Sequence, residues 1–101
     1  MTSYSDLAHF NFDRDFLCRA SRVTLRALGW EIYEEGKTMI RAKVSPEENG
    51  SSAILELQVF TGHLLYTVGS EKYSFDLFEY KDLGNVFLAK LRETIISGTL
   101  R

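Results

Sequence analysis

Between Trp30 and Phe78 apolar residues recur at every second position, in short runs broken by Gly and polar residues. A repeat of two belongs to extended chain with one buried face, whereas a helix repeats every 3.6 residues, so this stretch reads as a succession of strands. Trp30 and Ile32 alternate with Glu31 and Tyr33. After a turn at Gly36, Ile40, Ala42 and Val44 alternate with Met39, Arg41 and Lys43. Three more strands are expected from Ala53 to Phe60, from Leu64 to Gly69 and from Tyr73 to Phe78, separated by turns at Gly62 and at Ser70 to Lys72. Residues 45–52, with Pro46, Glu47, Glu48, Asn49 and Gly50, read as a mobile loop.

The flanks repeat differently. Asn11 or Asp13 can cap a helix running to Leu28, with Gly29 suited to a left-handed stop. Phe16, Ala20, Val23, Thr24 and Ala27 fall on one side of it, and Arg19, Arg22 and Arg26 on a neighbouring side. A second helix is expected from a cap at Asp82 to Ser97, before Gly98, with Leu83, Val86, Phe87, Leu91, Thr94 and Ile95 as its apolar stripe.

Strand register follows from the demand that each apolar set share one side of the sheet. With Ile32 opposite Ile40, Ala42 opposite Leu55, Leu55 opposite Val68 and Val68 opposite Tyr73, the inner ranks become Trp30–Ala42–Leu55–Val68–Tyr73 and Ile32–Ile40–Leu57–Tyr66–Phe75. Val59, Leu64 and Leu77 close the far end. The fold expected is α+β: helix, five-stranded antiparallel meander, helix, with both helices on one sheet face. The other face then holds Arg41 between Glu31 and Glu56, beside a rank of Tyr33, Met39, Gln58, Leu65 and Asp76.

At 101 residues the chain fits one domain, with residues 1–10 expected as a loosely ordered N-terminal segment. A 45% hydrophobic content argues for a packed core, and a formal charge of -2 supplies no global field toward nucleic acid or anionic lipid. Cys18 is the only cysteine, so an intramolecular disulfide is excluded and a reducing, cytoplasmic setting is expected. The N-terminus lacks the pattern of a signal peptide, and no apolar run reaches the ~20 residues of a membrane span.

Catalytic patterns are weak. His9 and His63 stand far apart in sequence, and one cysteine cannot supply paired thiolates, so no metal or cofactor is expected. Cys18 lies inside a helix, where cysteine usually serves packing. The pairs Glu34–Glu35 and Glu47–Glu48 read as solvated turn charges. No glycine-rich phosphate loop is present.

Helix, antiparallel sheet and closing helix, with Leu55 to Phe60, Leu64 to Val68 and Ser74 to Phe78 as the matching strands, resembles the kinase-associated modules at the C-termini of some protein kinases. Small immunity proteins, secretion chaperones and phage-encoded inhibitors are similar in size and mixed architecture. A likeness of this kind bears on fold alone.

The function expected is a non-enzymatic protein-interaction module, acting as regulator, inhibitor or adaptor. It would bind a protein partner through Tyr33, Met39, Arg41, Gln58 and Leu65 on the open sheet face, or through an edge strand that could also pair two copies. The alternative is an anion-binding module for nucleic acid or acidic lipid, using Arg19, Arg22 and Arg26.

Overall fold

A computed structural model describes residues 3–44, 53–69 and 77–98. Its elements run β1 (Ser3–His9), α1 (Arg14–Leu28), β2 (Glu31–Glu35), β3 (Met39–Val44), β4 (Ala53–Phe60), β5 (His63–Gly69) and α2 (Leu77–Ser97). The five strands form one antiparallel sheet in the order β1-β5-β4-β3-β2. The α+β class, the five strands and the two helices packed against the sheet agree with expectation.

The central register also agrees. Ala42 pairs with Leu55 and Leu55 with Val68, while Ile40, Leu57 and Tyr66 form the next rank and Val59 meets Leu64. Each of these side chains is at most 2% exposed. Burying a large apolar side chain contributes roughly 1.5–3 kcal/mol, so these ranks dominate the stability of the sheet. α1 packs against β2 and β4, α2 against β5 and β1, and the helices touch each other.

The fifth strand comes from elsewhere in the chain. Ser3–His9, expected to be loosely ordered, pairs along its whole length with β5, so Tyr4 stands opposite Val68 and Asp6 opposite Tyr66. Tyr73 and Phe75 were expected there; residues 70–76, like the loop at 45–52, lie outside the described residues. Leu77 and Phe78 begin α2 instead of ending a strand. The meander therefore covers β2 to β5, and β1 adds to its far edge.

The first hairpin is offset as well. Ile32 pairs with Ala42, not Ile40, and a bulge at Tyr33 brings Glu34 opposite Arg41 and Glu35 opposite Ile40. Two residues on the bulged strand then face one on its partner, which turns the end of β2 relative to its start.

α1 is rotated from its expected stripe, whereas α2 keeps Phe87, Leu91 and Thr94 buried and Leu83 and Ile95 packed against the core, as expected. Asp13 caps α1 by accepting a 2.8 Å bond from Phe16 N–H, and Gly29 at φ 75° closes it, with the N–H groups of Gly29 and Trp30 reaching the carbonyls of Arg26 and Leu25. Its buried side is Leu17, Cys18, Ala20, Ser21, Thr24 and Leu25, while Ala27 is exposed and Phe16 and Val23 only half-buried. Thr24 fits because its hydroxyl donates to the Ala20 carbonyl at 2.8 Å and lies 3.2 Å from Thr94 Oγ1 on α2. α2 starts before Asp82, buries Tyr80, Phe87, Leu88, Leu91 and Thr94, and leaves Val86 exposed. Gly84 sits where α2 meets β5: a Cβ there would lie 2.6 Å from Tyr66 Cε2.

Candidate functional site: the open sheet face

Because side chains alternate along a strand, the residues between the buried ones point away from both helices. The most apolar such rank crosses four strands as Leu7, Leu65, Gln58 and Met39. Leu7 is 44% exposed, Leu65 and Met39 are half-buried, and Gln58 is exposed between them. The next rank toward β2 is polar: Ser5, Thr67, Glu56, Arg41 and Glu34. On the other side lie His9, His63 and Phe60.

Arg41 is the hub of the polar rank. Its Nη1 donates to Glu34 Oε2 at 2.7 Å, and its Nη2 lies 3.5 Å from Glu56 Oε1. The bulge gives Arg41 the partner Glu34 in place of the expected Glu31, which sits opposite Lys43. The Glu34 hydrogen bond, then the charges of Glu34 and Glu56, push the Arg41 pKa up, so the guanidinium stays charged. Ser5 Oγ and Thr67 Oγ1 share a 2.8 Å hydrogen bond farther along the rank. The Lys43 ammonium lies 5.7 Å from the centroid of the Tyr33 ring, which places that exposed tyrosine beside the charged end of the face.

Of the five residues expected to share this face, Met39, Gln58 and Leu65 stand in one rank, Arg41 in the adjacent one, and Tyr33 at the bulge. Asp76 lies outside the described residues. Leu7, Ser5 and His9 extend the face and were not foreseen. They lie in a segment that buries only Ala8, so its sequence carries little apolar alternation. The outer edges of β1 and β2 pair with no other strand among the described residues.

The arginine side of α1 is partly engaged. Arg22 Nε is 3.4 Å from Glu35 Oε1 on β2, close enough for ion pairing but without hydrogen-bond geometry. Arg19 and Arg26 are exposed. Arg26 borders a shallow depression of about 450 Å³ that also meets Trp30, Ile32, Glu31, Glu34 and Glu35. Arg26 shares this groove with acidic residues of β2, whose charge opposes the binding of an anion.

Cys18 is buried, with Sγ 3.9 Å from the Lys37 carbonyl. Burial raises its pKa despite the opposing charge of Arg22, which keeps it a thiol and a poor nucleophile. Among the described residues no three His, Cys, Asp or Glu side chains converge on a common point. None of the described helices is long and apolar enough to cross a membrane.

Fold and face together define a two-layer α+β module with one sheet surface covered by helices and the other uncovered among the described residues. No family model matches the chain, and no curated protein matches it at a significant level.

Proposed function

We propose that this chain is a small protein-interaction module, a regulator, inhibitor or adaptor without catalysis of its own, that engages a protein partner through the open sheet face. The observation that supports this reading is the rank Leu7–Leu65–Gln58–Met39, with Phe60 and Tyr33 nearby. Partly exposed apolar side chains flanked by a charged rank match the usual makeup of a recognition surface, an apolar centre with a charged rim. Arg41, oriented by two carboxylates, supplies a directional group at that rim. A cytoplasmic setting suits the buried free thiol of Cys18.

The test is capture of partners from the native host by two baits, the wild-type chain and the Arg41→Glu/Gln58→Arg double variant. The variant loses the partner and keeps the wild-type circular dichroism spectrum. A partner captured equally by both baits rejects this face. The anion-binding alternative through Arg19, Arg22 and Arg26 draws support from two exposed guanidiniums, weakened by the Arg22–Glu35 contact and the acidic groove. It requires binding to RNA or anionic vesicles that weakens steeply with salt; salt-independent or absent binding removes it.

A further inference from the structure

His9 and His63, 54 positions apart in sequence, are direct cross-strand partners on β1 and β5. Their ring centroids are 6.2 Å apart with the planes tilted by 51°. The backbone beside them is pinned: Phe10 N–H donates to the Gly62 carbonyl at 3.0 Å, and Gly62 N–H to the Phe12 carbonyl at 2.9 Å. Phe60 stacks on His63 at 4.7 Å and 18°, restricting that ring. His9 is the more exposed of the pair.

Imidazole binds borderline divalent metals at about 2.1 Å, so a shared ion lies roughly 3.2 Å from each ring centre, and the centres can be no more than roughly 6.5 Å apart, the limit of a linear nitrogen–metal–nitrogen angle. The observed 6.2 Å is within that reach, and a tetrahedral angle at the metal brings the rings closer by about 1 Å. We propose that His9 and His63 form a two-histidine site for a borderline divalent transition ion such as Zn²⁺ or Ni²⁺, water completing its coordination. The ion clips β1 to β5 at the end of the sheet. Imidazole nitrogen favours these ions over Mg²⁺ or Ca²⁺, which demand oxygen ligands. In the unfolded chain the two histidines lose their common geometry, so binding favours the folded state.

Thermal unfolding of the full chain with NiCl₂ or ZnCl₂, against MgCl₂, tests this. Either transition ion is expected to raise the midpoint by about 2–5 °C at saturating concentration, and Mg²⁺ to leave it unchanged. His9→Gln, at an exposed position, and His63→Gln should each abolish the shift. In two-dimensional NMR, Ni²⁺ should broaden the signals of His9 and His63 before all others. No shift in the wild type overturns the site, as does a shift that survives in His9→Gln.

Discussion

Gly84 and Tyr66 make the closest helix-to-sheet approach among the described glycines, and the contact reverses an ordinary rule. Replacing a helical glycine by alanine normally stabilises by about 1 kcal/mol. Here the added methyl meets a fully packed ring, and Gly84→Ala is predicted to lower stability by about 1–3 kcal/mol in urea denaturation. Tyr66 also carries a pH dependence. Burial first, then Asp6 and Tyr4, push its phenol up to about 12. The unfolded phenol ionises near 10, so the stability this group contributes is complete below pH 10 and is lost as pH rises toward about 12. Tyr66→Phe should flatten the decline of stability in that window, measured by denaturation at successive pH values. Ser21 is fully buried, and its hydroxyl has no hydrogen-bond partner among the described residues. Ser21→Ala is therefore predicted to be neutral or stabilising by up to about 1 kcal/mol in the same assay.

At the scale of elements, the Asp13 cap and the Gly29 stop set both ends of α1. Asp13→Ala is predicted to cost about 1 kcal/mol by leaving the Phe16 N–H without its acceptor, and Asp13→Asn to cost far less. Both caps were legible in sequence, as was the register of β3, β4 and β5, because their inner residues are consistently apolar and their outer ones are not. Three elements misled for physical reasons. In β1 Asp6 occupies an inward rank and Leu7 an outward one, so the pairing with β5 has no apolar signature. From Tyr73 to Phe78 apolar and polar residues alternate, yet Leu77 and Phe78 open α2. The bulge at Tyr33 leaves no trace in the run Tyr33, Glu34 and Glu35, so the pairing of Arg41 with Glu34 was not legible. The buried side of α1 was rotated from expectation by Ser21, which counts as an outward residue by composition yet is fully buried, while Ala27 is exposed.

For the whole molecule, two helices shelter one sheet face and leave the other uncovered among the described residues. Four of the five expected interface residues were legible as neighbours because they lie on or beside the well-patterned strands β3 to β5; the contribution of β1 was not. The functional proposal rests on β1, since Leu7 extends the apolar rank and His9 completes the pair with His63. If β1 pairs with β5, the nuclear Overhauser spectrum of the free protein contains cross-peaks between the side chains of Leu7 and Leu65 and between Ser5 and Thr67. Cross-peaks from Tyr73 to Val68 and from Phe75 to Tyr66 in their place would contradict the sheet order on which the open face depends.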